Sequence, residues 1–107
     1  MYRFRANLIK VVDADTVDLY VDLGFNLFME QRVRLLNIDA PERFTKRGKE
    51  LTRFVKDWFE FNGDYIILSS EKLDSFGRSL GIIYTAEGHH SLNDRLLAQE
   101  GVKVYKR

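Results

Sequence analysis

Five charged side chains in this sequence are of the types needed to break a phosphodiester bond. Three are acidic, Asp15, Asp39 and Glu42, and two are basic, Arg34 and Arg78. Carboxylates can hold a hard cation and orient water, whereas a guanidinium can hold a phosphate through paired hydrogen bonds. These groups could cleave a nucleic-acid backbone if the fold brings them to one place.

The candidate metal ligands are the carboxylates of Asp15 and Asp39, with the backbone carbonyl of Ala40 as a third. Oxygen donors favour a hard cation such as Ca²⁺ or Mg²⁺, and Ca²⁺ tolerates the irregular, partly hydrated ligand set that two loops would offer. The chain has no cysteine, which excludes thiolate sites and disulfides. Aspartate is also a common turn former, and for a single aspartate at a strand end that is the better interpretation.

Both arginines lie in predicted strands among apolar residues. Alternation places Arg34 on one face with Leu36 and Ile38, and Arg78 begins a later strand. An unpaired guanidinium in such surroundings costs roughly several kcal/mol, so each arginine needs an anionic partner. A bound phosphate is one such partner. An ion pair with a nearby carboxylate, or a side chain extending from the strand end into water, is the alternative.

Together these residues would support hydrolysis of a phosphodiester. A metal on Asp15 and Asp39 would neutralise phosphate charge, while Glu42 would accept a proton from the attacking water. Arg34 and Arg78 would stabilise the extra negative charge of the five-coordinate transition state.

The elements that must position these residues follow from hydrophobic periodicity. Alternating residues predict three consecutive antiparallel strands over residues 2–12, 16–23 and 27–38. A change to helical spacing predicts an amphipathic helix over 45–61, ended by Asn62 and Gly63. Short apolar runs predict strands over 65–68 and 80–84, and Ser91 starts a second helix that stops at Gly101.

Strand, strand, strand, helix, strand, strand, helix is the element order of an OB-fold. We therefore predict a mainly β domain with helices (α+β) in which five strands close into a barrel, a fold that commonly binds nucleic acids. A twisted open sheet packed on one helix would give the same order. At 107 residues the chain is long enough for one domain, which we place at residues 1–107.

The charged residues occur in three motifs that resemble the staphylococcal nuclease (thermonuclease) family, in the family's order and over nearly the whole chain. The motifs are Asp13-Ala14-Asp15-Thr16-Val17, Arg34-Leu35-Leu36-Asn37-Ile38-Asp39-Ala40-Pro41-Glu42 and Asp74-Ser75-Phe76-Gly77-Arg78. The resemblance implies an OB-fold barrel that carries a Ca²⁺-dependent endonuclease. Such an enzyme hydrolyses DNA and RNA with little sequence preference and leaves 5′-hydroxyl and 3′-phosphate ends.

Site roles also follow from the resemblance. Asp15, Asp39 and the Ala40 carbonyl match the metal ligands, although the family pattern has a threonine in place of Ala40. Glu42 matches the presumed general base, and Arg34 and Arg78 match the phosphate-binding arginines.

Three further positions match the family more loosely. Asp13 corresponds to an acidic residue near the metal. Phe76 stands where the family has a tyrosine that contacts the nucleotide, and it could stack on a base. Tyr105 corresponds to a tyrosine that lines the nucleotide pocket.

Two other functions fit the same sequence. One is a non-catalytic domain of the same type that binds single-stranded nucleic acid or protein, but all five charged positions are filled here, which favours the enzyme. The other is a generic single-strand binder that uses the basic residues of the first helix and of the C-terminal segment. The solvated face of a helix and a basic tail are the ordinary interpretation of those residues, which are Lys46, Arg47, Lys49, Arg53, Lys56, Lys103, Lys106 and Arg107.

Composition sets broader limits. The net charge is only +1, so contact with DNA or RNA must come from local clusters. No apolar signal region and no membrane-length run occurs, so we expect no membrane association and a cytoplasmic or undetermined location. We expect a monomer, either a whole protein or a domain of a longer one.

Overall fold

Five strands form a closed barrel in the computed structural model, which describes residues 2–73 and 79–105 but not the side chains of Lys72 and Leu73. The elements run in the order β1 (Tyr2–Asp13), β2 (Thr16–Gly24), β3 (Leu27–Leu35), β4 (Ile38–Asp39), α1 (Lys46–Phe61), β5 (Ile66–Leu73), β6 (Ser79–Tyr84), α2 (Leu92–Leu97) and β7 (Lys103–Val104).

The barrel closes in the strand order β1-β2-β3-β6-β5, with β5 returning to β1. All neighbours in it are antiparallel except β3 and β6, which are parallel. This topology confirms the predicted α+β, OB-like barrel. The short strands β4 and β7 form a separate two-stranded sheet, and β7 was not predicted.

Alternation along the strands builds the core. Val17, Leu19 and Val21 of β2 are buried, as are Val33 and Leu35 of β3. The polar residues between them face outward, where Arg32 donates two hydrogen bonds to Asp18 across the strand pair. Those hydrogen bonds hold the pKa of Asp18 below its ordinary value.

The helix α1 packs on the barrel through its apolar face. Leu51, Val55, Trp58 and Phe59 are buried, as their spacing predicted. Thr45 caps the helix by accepting a hydrogen bond from the Gly48 backbone N–H at 3.0 Å. Neither α1 nor α2 is long and apolar enough to cross a membrane.

The third strand is shorter than the predicted range of 27–38, which was wrong at its end. It stops at Leu35, because Asn37 takes a left-handed conformation with φ of 63° and the chain turns. The Leu36 N–H donates to Gly81 O at 2.8 Å, which fixes that turn against β6. Ile38 therefore belongs to β4, and Arg34 does not share a continuous strand face with Leu36 and Ile38.

Asn93 of α2 is the side chain that holds this turn. Its Nδ2 donates to Leu36 O at 3.1 Å and to Gly81 O at 3.2 Å, and its Oδ1 accepts from the Ile83 N–H at 3.1 Å. Because the amide is 5% exposed, water cannot easily replace these bonds. Asn93 thus links α2 and β6 to the turn that follows Arg34.

We expect Asn93→Ala to lower the free energy of unfolding by about 2–4 kcal/mol, because it leaves a buried donor and a buried acceptor without partners. Urea denaturation would measure the loss. Gln99→Ala is the control, since that exposed amide makes one hydrogen bond of 3.5 Å to the chain. Equal stability of the two variants would show that the Asn93 bonds contribute nothing beyond surface contacts.

Candidate functional site

A cavity of about 200 Å³ lies beside the β1–β2 turn, the end of β3 and the segment that joins β4 to α1. The β1–β2 turn reaches the end of β3 because β2 and β3 pair antiparallel, with Thr16 opposite Arg34, and the chain enters β4 only three residues after β3 ends. The cavity contains every predicted catalytic and metal-site residue that the structure describes. Its lining residues are Asp13, Asp15, Thr16, Arg34, Asp39, Ala40, Pro41 and Glu42.

Asp15 joins the walls of the cavity. Its Oδ2 accepts a hydrogen bond from the Ala40 backbone N–H at 3.2 Å, and its Oδ1 accepts one from Thr16 Oγ1 at 3.1 Å. Its backbone carbonyl accepts from the Leu35 N–H at 2.8 Å. The residue is 7% exposed, so its carboxylate is presented to the cavity in a fixed position.

Arg34 lies against Asp15 in the same cavity. Its Nη2 is 3.6 Å from Asp15 Oδ2 and donates to the Ile38 carbonyl at 3.3 Å. The ion pair left open by the sequence is therefore present, but at 3.6 Å it is too long to be a hydrogen bond. The side chain is 17% exposed, so the guanidinium is held close to the protein and remains accessible from the cavity.

Tyr105 covers the guanidinium of Arg34. The Arg34 Cζ lies 5.0 Å from the centre of the tyrosine ring, within the range of a cation–π contact. The Tyr105 backbone N–H also donates to Asn37 O at 2.9 Å, just beyond β7. The predicted nucleotide-contact residue is thus placed beside the cavity, next to the arginine.

Glu42 and Asp39 present exposed carboxylates at the cavity. The main chain of Glu42 is fixed even so, because its carbonyl accepts from the Thr45 N–H at 3.0 Å and from Thr45 Oγ1 at 2.7 Å. Gly48 packs directly on this carbonyl, and a Cβ at position 48 would overlap it. Sequence reasoning missed Gly48, although a glycine in the first turn of a helix was a usable signal.

Asp13 is tied to the segment that follows Glu42. Its Oδ1 accepts from the Arg43 backbone N–H at 3.3 Å, and Arg43 Nη1 donates to the Val12 carbonyl at 3.5 Å. Asp13 therefore positions the loop on the far side of the cavity. Arg43 was also missed, because only the fold brings it to β1.

The donor set of the cavity suits a hard cation. It combines the four carboxylates of Asp13, Asp15, Asp39 and Glu42 and contains no nitrogen or sulfur ligand from histidine or cysteine. Across residues 2–73 and 79–105, however, no three acidic or histidine side chains converge into a ready-made cage.

Two predicted site residues, Arg78 and Phe76, lie outside the described residues. Their assignments remain predictions from the sequence.

Comparison with known proteins adds three similarities, while no family model matches the chain. Two proteins named "Uncharacterized endonuclease", from Escherichia coli O157:H7 and from Escherichia coli, are each 30% identical over 103 residues, which is 96% of this chain and 62% of the relative. "Protein ParB" of Escherichia coli is 31% identical over 80 residues, which is 75% of this chain and 41% of that protein. The chain thus spans between two-fifths and three-fifths of the length of these curated relatives.

Proposed function

We propose that this chain is a Ca²⁺-dependent nuclease of the staphylococcal nuclease type, which hydrolyses phosphodiester bonds of DNA and RNA with little sequence preference. The observation that carries the proposal is the single cavity that gathers Asp15, Arg34, Asp39 and Glu42 from three separate segments. The similarity to two proteins named as endonucleases supports the same chemistry.

Asp15, Asp39 and the Ala40 carbonyl would hold the ion. When bound, Ca²⁺ would neutralise charge on the phosphate and so favour attack on phosphorus. The hydrogen bond from the Ala40 N–H to Asp15 fixes the position of these two residues relative to each other without a bound ion.

Arg34 binds the phosphate in this proposal. Its guanidinium is charged at any working pH and can donate two parallel hydrogen bonds to phosphate oxygens. The Ile38 carbonyl and the Tyr105 ring orient it, so little side-chain entropy is lost when the substrate binds. Arg78 is proposed to act with Arg34 on the basis of its sequence motif.

Glu42 is the proposed general base. Its exposed carboxylate at the cavity is reached by water, and its main chain is held by Thr45 and Gly48. Glu42 takes a proton as the water oxygen bonds to phosphorus. The bond from phosphorus to the 5′ oxygen then breaks, and that oxygen gains a proton from solvent, which leaves a 5′-hydroxyl and a 3′-phosphate.

The test is cleavage of single-stranded DNA in Ca²⁺ and, in parallel, in a chelator. We expect fragments with 3′-phosphate ends only when Ca²⁺ is present, because the cavity's carboxylates need a cation to accept a phosphate. Gel analysis with end-group labelling would read out both points. Equal fragmentation with and without the chelator would contradict the metal requirement, and binding without any fragmentation would favour the non-catalytic alternative.

A further inference from the structure

A second, larger cavity lies between β1 and α1, beside the first. Its volume is about 500 Å³. Four of its lining side chains are basic and none is acidic. It is lined by Val11, Val12, Arg43, Phe44, Lys49, Thr52, Arg53 and Lys56. We refer to it as the basic groove.

The basic groove adjoins the candidate catalytic cavity, although the two share no lining residue. Arg43 directly follows Glu42, and its backbone N–H donates to Asp13 of the catalytic cavity at 3.3 Å. The Arg43 side chain instead reaches the Val12 carbonyl in the groove wall at 3.5 Å. A chain molecule that leaves the catalytic cavity on this side would therefore enter the groove.

The positive charge of the groove is largely uncompensated. Arg53 pairs with Asp57 at 3.1 Å, but no ion pair found among residues 2–73 and 79–105 involves Lys49 or Lys56. These lysines are seven residues apart on α1, about 10 Å along the helix axis. Two cations held this far apart on one helix can contact different phosphates of the same strand.

Phe44 adds an aromatic surface to the groove. Its side chain is 70% exposed, whereas Trp58 and Phe59 of α1 are buried and Phe54 packs against the core. An exposed ring among basic side chains is the combination that binds unpaired bases, because every base can stack on it while its phosphate meets a cation.

We propose that the basic groove binds a short stretch of single-stranded nucleic acid next to the phosphate that is cleaved. Lys49, Lys56 and Arg43 contact the phosphates, and Phe44 stacks on one base. The position of the bound strand next to a cleaved phosphate rests on the proposed function, but binding of the strand in the groove does not require cleavage. It replaces the view that these lysines are simply the solvated face of a helix.

The experiment measures the dissociation constant of a fluorescent 12-nucleotide single strand by anisotropy, with a chelator present so that no turnover occurs. The test variants are Lys49→Gln/Lys56→Gln and Phe44→Ala. The matched control is Arg3→Gln/Arg5→Gln, which removes two exposed charges at the other end of β1, where each arginine lies over a tyrosine ring at 4.9 Å. A blunt duplex of the same length tests strand preference.

We expect the double lysine variant to bind the single strand about tenfold more weakly in low salt and the control less than threefold more weakly. Loss of two phosphate contacts should also lower the slope of log Kd against log salt concentration by about 1.4. A fourfold rise in salt should therefore weaken binding by the wild type about sevenfold more than binding by the variant. Phe44→Ala should weaken binding of the single strand about tenfold and of the duplex less than twofold.

Equal losses in the groove variant and the control would overturn the proposal, as would equal effects of Phe44→Ala on single strand and duplex. Failure of the nuclease proposal is seen separately. If wild type in Ca²⁺ cuts no DNA while the groove variants still bind more weakly, the groove is supported and the catalytic assignment falls.

Discussion

Glu42→Gln is expected to lower kcat for DNA cleavage by about 10²–10⁴-fold, because glutamine keeps the size of the side chain but cannot accept a proton from water. Binding of DNA should change by less than about threefold, since the variant keeps the Thr45 hydrogen bonds to the carbonyl of residue 42. Single-turnover rates give the first quantity, and anisotropy in a chelator gives the second.

The matched control is Glu60→Gln, an exposed glutamate in the last turn of α1. It removes the same charge far along the helix from the catalytic cavity, so its kcat should stay within twofold of wild type. If Glu42→Gln retained wild-type turnover, Glu42 would have no part in the chemistry.

Gly48→Ala is expected to lower both stability and turnover. Glycine to alanine inside a helix ordinarily stabilises by about 0.5–1 kcal/mol. Here the new Cβ would overlap the Glu42 carbonyl and lie 2.8 Å from Thr45 Oγ1, so the turn that carries Glu42 must move. Overpacking of this kind costs about 1–3 kcal/mol, and a displacement near 1 Å at a catalytic group can cost about 10²-fold in rate.

Urea denaturation and single-turnover kinetics would measure the two effects of Gly48→Ala. Glu50→Ala, two residues along the same helix, is the control, because its exposed ion pair with Arg47 at 3.5 Å contributes little. A stabilised Gly48→Ala protein with normal turnover would show that the close contact between α1 and Glu42 is not needed for catalysis.

Many elements of the barrel could be predicted because the residue patterns that specify them lie within the elements themselves. The alternation in β2 and the spacing of Leu51, Val55 and Trp58 each state which face is buried, and the structure buries those faces. The Asn62-Gly63 stop also holds, with Gly63 at φ 82°. Such signals lie within a few residues of the feature that they describe.

The end of β3 could not be predicted in this way. Leu35 ends the strand because the chain turns at Asn37, and this turn is held by residues far along the chain, Gly81 and Asn93, which bind the backbone of Leu36. The short strand β7 likewise exists only as the partner of β4. The alternation of apolar residues continues through the turn, so local periodicity predicts a longer strand than these distant contacts allow.

The candidate site was predictable in its residue types and not in its internal contacts. The motifs predicted that Asp15, Arg34 and Glu42 would meet, and the cavity contains all three. The ion pair between Asp15 and Arg34 and the ring of Tyr105 over Arg34 depend on side-chain placement across the fold. The packing of Gly48 on Glu42 is of the same kind.

The most direct test of the account is the Ca²⁺ concentration that gives half-maximal cleavage of single-stranded DNA, compared between wild type and Asp39→Asn. Asp39 is an exposed residue of the cavity, so its replacement should leave the fold intact. Affinity for Ca²⁺ depends on the number of charged ligands, so we expect the half-maximal concentration to rise at least about tenfold, while an Asp64→Asn control stays at the wild-type value. The same Ca²⁺ dependence in wild type and Asp39→Asn would contradict the account.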